Sequence, residues 1–196
     1  MESLAEQIVY IGQLMFERRL TDISGGNISA RDGDTIYITP RFAGSKQHWR
    51  LKPDEIMYGP VYSDELFENP RLSREGKAHF SIYRNFPEAQ AVIHAHPFHI
   101  MPFAAARKPL VPVLESLLKF GIIAVIPQAP AHSQEIANNI VAGLRGQEER
   151  MRKQAAAVLL PAHGIIIAGK DLFATVDALE RLDWNAWCIL MNKQLD

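Results

Sequence analysis

Two histidines set two residues apart, His94 and His96 in Ala91-Val92-Ile93-His94-Ala95-His96-Pro97, are the first residues in this chain whose types and spacing suggest chemistry. Val92 and Ile93 read as the end of a buried strand. Residues two apart on a strand face the same way, so both imidazoles can reach one point. A catalytic zinc takes three protein ligands and keeps a fourth position open, so the pair asks for a third donor. His163 is the best candidate: in Leu159-Leu160-Pro161-Ala162-His163-Gly164 a second apolar strand breaks at a glycine and resumes as Ile165-Ile166-Ile167-Ala168. His99 is a further candidate, ranked lower because Pro97 breaks the strand geometry before it. The plain alternative for an isolated His at a strand end is a hydrogen-bonded core or surface residue.

A carboxylate near such a metal would act as a general base, because the cation stabilises the charge left when a proton is removed. Glu75 is the candidate. The spacing predicts a helix over 74–86 with Ser73 as N-cap, which puts Glu75 in the first turn, where the helix dipole favours a negative charge. Capping alone would account for it. However, Pro87-Glu88 is a short connector into the strand carrying His94, so the first turn can fold back toward the strand end. His79, four residues after Glu75, lies on the same helical face and reads as a packing or hydrogen-bonding residue first, and as support for the metal site second.

Other elements must position these groups. Leu4, Ile8, Ile11, Leu14 and Met15 predict an amphipathic helix over 3–20, with Ser3 and Glu6 in a capping-box arrangement. The following Ser24-Gly25-Gly26-Asn27 loop lets backbone amides approach a ligand closely, or is a simple turn. A β-hairpin is predicted from Ile28–Arg31 and Thr35–Thr39 around Asp32-Gly33-Asp34. The basic stretch Arg41 to Lys52 reads as a loop over a site or a solvated one, and a strand region is expected from Met57 to Tyr62. A short helix from Phe98 to Ala106, apolar strands at Val111–Val113 and Ile122–Ile126, a loop ending at His132 and a helix from Ser133 to about Leu144 come next. Gln147 to Lys153 reads as an exposed charged loop. Paired strands at Ala156–Leu160 and Ile165–Ala168 and a helix from about Leu172 to Met191 close the chain. Strands and helices mix without βαβ alternation, which suggests helices covering a mixed or mainly antiparallel sheet.

The 196 residues, 47% of them hydrophobic, can bury one sizeable core. With 21 Lys and Arg against 22 Asp and Glu there is no field to hold a polyanion, so no nucleic-acid partner is expected. One cysteine, Cys188, excludes an internal disulfide, fits a reducing cytoplasm and reads as a small buried helix residue. The N-terminus is acidic where a secretory leader is basic, and no apolar run approaches the roughly 18 to 20 residues of a membrane span. The expectation is a cytoplasmic protein without a membrane partner.

Five motifs then converge. Ser24-Gly25-Gly26-Asn27-Ile28-Ser29, Ile38-Thr39-Pro40, Ser73-Arg74-Glu75, Ala91 to Pro97 and Ala162-His163-Gly164 stand in the order and at about the spacing of the class II aldolase/adducin family, which the chain resembles over residues 4 to 192. The resemblance implies an α/β fold: a three-layer αβα sandwich with a central mixed, mainly antiparallel sheet, one domain over 1–196, assembled as a homotetramer. It implies that His94, His96 and His163 bind Zn2+ or another divalent metal and that Glu75 is the catalytic acid/base. By the same matching, Gly26, Asn27 and Ser73 help hold a sugar or sugar phosphate. Family aldolases commonly have Thr-Gly after the Thr-Pro pair and two serines before the glutamate; here stand Arg41-Phe42 and Ser73-Arg74. Arg41, Arg74 or Lys46 are therefore expected to bind a phosphate or carboxylate, which a guanidinium engages with two parallel bonds. Little chain follows the last helix to supply the tail with which family aldolases reach a neighbour's site.

The implied reaction is aldol cleavage of a phosphorylated ketose through an enediolate whose charge the metal carries, and the same logic serves epimerases, dehydratases and decarboxylases. The other class of function is a non-catalytic, adducin-like scaffold. Loss of the metal trio marks that class, whereas this chain keeps all three histidines and the carboxylate.

Overall fold

Where the chain first becomes regular, Ser3 caps α1 (Leu4–Glu17) as its sequence predicts. The Ser3 hydroxyl accepts from the Glu6 amide at 3.3 Å and the Glu6 carboxylate accepts from the Ser3 amide at 2.7 Å, so two orphan donors are satisfied reciprocally. The computed structural model describes residues 3–192 and Leu195; Met1, Glu2 and Asp196, which entered the reading of the chain ends, lie outside the described residues.

Six strands form one sheet: β1 (Asn27–Asp32), β2 (Thr35–Ile38), β3 (Met57–Pro60), β4 (Ala91–Ala95), β5 (Ala155–Leu160) and β6 (Gly164–Gly169). Their order is β3-β2-β1-β4-β6-β5, and every neighbouring pair is antiparallel. An isolated parallel bridge from Val125 to Leu159 adds the mixed character. The helices are α1, α2 (Gly76–Asn85), α3 (Met101–Ala106), α4 (Gln134–Leu144), α5 (Glu148–Lys153) and α6 (Leu172–Asn192).

Strand alternation divides the apolar residues into two cores. Ile93, Ile165, Ile167 and Leu159 pack with Ile8, Ile11 and Met15 of α1 and Leu179 of α6. On the other face Val92, Ile166 and Val158 pack with Phe80 of α2, Ile140 of α4 and Met151 of α5. The central strands β4, β5 and β6 are buried throughout because both faces are covered, which explains their unbroken apolar runs. This is the expected three-layer αβα sandwich around a mainly antiparallel sheet.

Several local expectations are corrected. The helix predicted over 74–86 starts at Gly76, and Glu75, not Ser73, takes the N-cap position, its side chain making no cap bond. Gln147–Lys153 is not an exposed loop: α5 forms there, with Met151 fully buried and Glu149 pairing with Arg152 and Lys153 one turn on. Val111–Val113 and Ile122–Ile126 form no strand, only the bridges Leu110–Ile123 and Val125–Leu159. The side chain of Asn185 on α6 takes the place of a strand partner, accepting from the Val113 amide and donating to the Val111 carbonyl, each at 2.9 Å. β3 ends at Pro60, short of Tyr62. Cys188 is half-buried rather than buried. No described helix is long and apolar enough to cross a membrane.

Candidate metal centre

β4 delivers His94 at its penultimate residue, and His96 follows where the strand ends. β6 runs antiparallel beside it, His94 opposite Ile166 and Ala95 opposite Ile165, so the β5–β6 turn carrying His163 arrives at the same sheet edge. One nitrogen from each of the three rings lies within 4.8 Å of the others. The turn needs Gly164, because a Cβ there would collide with the Ala95 carbonyl and stand 2.9 Å from the His96 ring.

The outward nitrogens are already committed. His94 Nδ1 donates to the Ile165 carbonyl at 3.0 Å, and His96 Nδ1 donates to Asp22 Oδ1 at 3.2 Å. Each bond places the ring proton on Nδ1 and leaves Nε2 as a lone pair. The two Nε2 atoms then face each other at 3.2 Å with no proton between them, an arrangement that a cation relieves. Three imidazoles converging in this way fit a divalent ion of the zinc type. His94 and His163 are held neutral: burial, then His163 and His96, push His94 well below its ordinary pKa, and burial, then His96 and His132, push His163 to about 4.

The Ser24–Asn27 loop supports this edge from behind. Asp22 Oδ1 also accepts from the Ser24 and Gly25 amides at 2.9 and 3.1 Å. Burial would raise the Asp22 pKa, but the Ser24 hydroxyl and His96 outweigh it and keep the carboxylate charged. Gly26 has φ of +93°, where L side chains are strained, and a Cβ there would lie 2.6 Å from Thr21 Oγ1.

Glu75 is 4% exposed, at the N-cap of α2. Its Oε1 lies 3.8 Å from His163 Nε2 and 2.7 Å from His132 Nδ1. The His132 ring and the carboxylate stand at ion-pair distance without the alignment of a hydrogen bond, so both atoms remain unsatisfied. Burial raises the Glu75 pKa to about 7 against the opposing pull of Arg74 and the His132 backbone. His132 was missed from sequence. It sits before α4 with φ of +67°, and nothing local marks it; only the fold carries it to Glu75.

These groups line a pocket of about 390 Å³ that also takes in Gly26, Asn27, Ser73, Arg41, Phe42 and Arg74. The Arg41 and Arg74 guanidinium carbons lie 4.7 and 6.0 Å from the Phe42 ring centre, and Lys46 Nζ lies 4.5 Å from it. None of the three cations has a carboxylate partner among the described residues. Arg41 Nε, Glu75 Oε1 and His132 Nδ1 are the buried side-chain atoms lacking a hydrogen-bond partner among the described residues, and all three belong to this pocket. His99 is not in the converging group; it turns instead to α6, its Nδ1 2.7 Å from Asp183 Oδ2.

Comparison with known proteins identifies the family. Residues 6–190 match the model of the Class II Aldolase and Adducin N-terminal domain. An L-fuculose phosphate aldolase of Methanococcus maripaludis is 30% identical over 169 residues, 85% of this chain and 84% of the relative. A 3-oxo-tetronate 4-phosphate decarboxylase of Pectobacterium atrosepticum is 26% identical over 196 residues, covering 94% of this chain and 83% of the relative. The solved structure of an L-fuculose 1-phosphate aldolase superimposes with a TM-score of 0.82 at 25% identity, covering 100% of this chain and 89% of that one. With the family model matched over residues 6–190 and enzymes of this type among its relatives, the chain belongs to the class II aldolase and adducin family and is an enzyme of the class II aldolase type.

Proposed function

We propose that this enzyme is a metal-dependent lyase, with zinc on His94, His96 and His163, that cleaves a phosphorylated ketose by a reversible aldol reaction. The observation that carries this reading is the three-histidine cluster with the Glu75 carboxylate 3.8 Å from His163 Nε2, in one pocket with Arg41 and Arg74. A divalent cation there supplies Lewis-acid stabilisation of the negative charge that carbon–carbon cleavage leaves on the ketose oxygens. Glu75 moves the proton to or from the carbon released by cleavage. Its elevated pKa near 7 suits that work at neutral pH. His132 stands against the same carboxylate oxygen and restricts where it can swing. Arg41, Arg74 and Lys46 bind the phosphate, with Gly26, Asn27 and Ser73 completing the cradle.

A second reading, decarboxylation of a phosphorylated 3-oxo acid, is favoured by one specific observation. Three unpartnered cations around Phe42 suit a substrate carrying a carboxylate as well as a phosphate. It uses the same charge stabilisation with carbon dioxide as the leaving group. The assembly proposed with either reading is a cytoplasmic homotetramer, which would cover the exposed Phe98, Leu118, Ile122 and Trp184. The test is metal analysis of the purified protein, followed by a panel of ketose phosphates and 3-oxo acid phosphates. Aldehyde release supports the first reading and carbon dioxide release the second; neither, from metal-loaded protein, would end both.

A further inference from the structure

Behind the pocket, a row of buried polar side chains runs from α2 to β1 and ends on Asn27. The Tyr83 hydroxyl lies 2.8 Å from Ser29 Oγ, Ser29 Oγ lies 2.6 Å from His79 Nδ1, and His79 Nε2 lies 2.5 Å from Asn27 Oδ1. Tyr83, Ser29 and His79 are wholly buried, and Asn27 nearly so.

The direction of the protons follows from the two ends. The Tyr83 hydroxyl is wholly buried and bonds only Ser29 Oγ among the described residues, so its proton goes to Ser29. Ser29 in turn gives its hydroxyl proton to His79 Nδ1, which leaves the ring proton on Nε2 for the Asn27 oxygen. The reverse order would strand the tyrosine proton without an acceptor in a buried place. Burial holds His79 at a pKa of about 3, so the ring stays neutral and cannot donate at both ends. The Asn27 carbonyl is therefore occupied on the inner side. Its NH2 has no hydrogen-bond partner among the described residues and is not among the buried unpaired atoms, and Asn27 lines the pocket.

We propose that Tyr83, Ser29 and His79 are positioning residues that lock the Asn27 amide so that it can only donate into the pocket, toward a phosphate oxygen of the substrate. A flipped amide would present its carbonyl to that anion and repel it. The proposal rests on the phosphorylated-substrate reading and adds the device that fixes the sense of one contact.

The test uses the full chain loaded with zinc. Histidine ring nitrogen NMR is expected to show His79 as the Nε2–H tautomer throughout about pH 6 to 8; an Nδ1–H tautomer would overturn the proposal. Inorganic phosphate, titrated while the Asn27 side-chain amide is followed, is expected to shift that signal in the parent protein. His79→Leu is expected to weaken phosphate binding about tenfold. His79→Gln can accept from Ser29 and donate to Asn27 in the same sense, and is expected to restore most of the loss. A glutamine variant as weak as the leucine one, or an Asn27 signal indifferent to phosphate, would overturn the role. Should His79→Leu fail to fold, Tyr83→Phe removes the first donor with little change of volume and is expected to weaken phosphate binding about threefold; unchanged binding would count against the relay. A protein with the Nε2–H tautomer and the phosphate response that cleaves neither ketose nor 3-oxo acid would refute the proposed reaction and leave the relay standing. An active lyase with the Nδ1–H tautomer would refute the relay alone.

Discussion

Nδ1 of His132 stands 2.7 Å from Oε1 of Glu75, although one residue belongs to the loop before α4 and the other to the N-cap of α2. The pair sits where burial disfavours charge on both: Glu75 is raised to about 7, and His132 is lowered by burial and by Arg74 and Arg41. In the metal-free protein the Glu75 carboxyl is expected to titrate near 7, and on adding zinc the titration should move to lower pH because a cation favours the carboxylate. Carboxyl carbon NMR of glutamate-labelled protein reads this directly. A Glu75 signal titrating near the ordinary 4.5 without metal would show that the pocket is wetter than its geometry implies.

Glu75→Gln keeps the shape of the side chain and removes its basicity. It is expected to retain the bound metal and to lose turnover by about 10²- to 10⁴-fold. Metal content by mass spectrometry and steady-state kinetics on the same sample make the comparison; a variant as active as its parent would remove Glu75 from the mechanism.

Metal retention should depend on the histidines and on the glycine that lets them approach. His94→Ala is expected to abolish it. Gly25→Ala changes no ligand, yet a Cβ there would overlap the His96 ring, so zinc affinity is expected to fall by about tenfold or more. Competition with a chelator of known affinity measures both. Wild-type affinity in Gly25→Ala would mean that the loop yields and the ring does not.

Substitution of the cations should affect binding more than chemistry. Arg41→Gln and Arg74→Gln are each expected to raise KM for a phosphorylated substrate about tenfold or more, with a smaller change in kcat. An equal drop in kcat with KM unchanged would place them at the reacting carbons instead.

Acid should destabilise the metal-free protein. His79 and His163 are held to about 3 and 4, and His94 and His132 are also lowered, all below the ordinary 6.5. Below pH 6.5 the unfolded chain therefore binds more protons than the folded one, and stability falls as pH drops toward about 4. Glu75 acts with the opposite sign between 4.5 and 7, since there the folded chain holds the extra proton. One carboxylate against four histidines leaves the net effect with the histidines. Urea midpoints at about pH 7.5 and about pH 5 are expected to differ clearly, the lower pH being the weaker; coincident midpoints would contradict the buried neutral rings.

Much of this was legible in the residues themselves. Period-two alternation marked β1 and β2, unbroken apolar runs marked β5 and β6, and the Ser3/Glu6 box marked the start of α1, because those signals act between neighbours in sequence. His94-x-His96 announced its geometry for the same reason: strand pleating alone puts the two rings on one side. Where partners were distant, local pattern misled. Met151 is buried by tertiary packing inside what reads as a charged surface run, and Val111–Val113 satisfies its backbone on the Asn185 side chain of a helix far along the chain.

The residues alone determined the candidate ligands, the candidate base and the layered α/β class. Only the folded chain decided that Glu75 leaves capping aside to face His163, that His132 joins it, that Asp22 orients His96, and that a buried relay ends on Asn27. Each of those depends on antiparallel strands bringing remote loops to one sheet edge and on burial setting the charge of what arrives there, and neither long-range pairing nor desolvation is written in the spacing of residues along a chain.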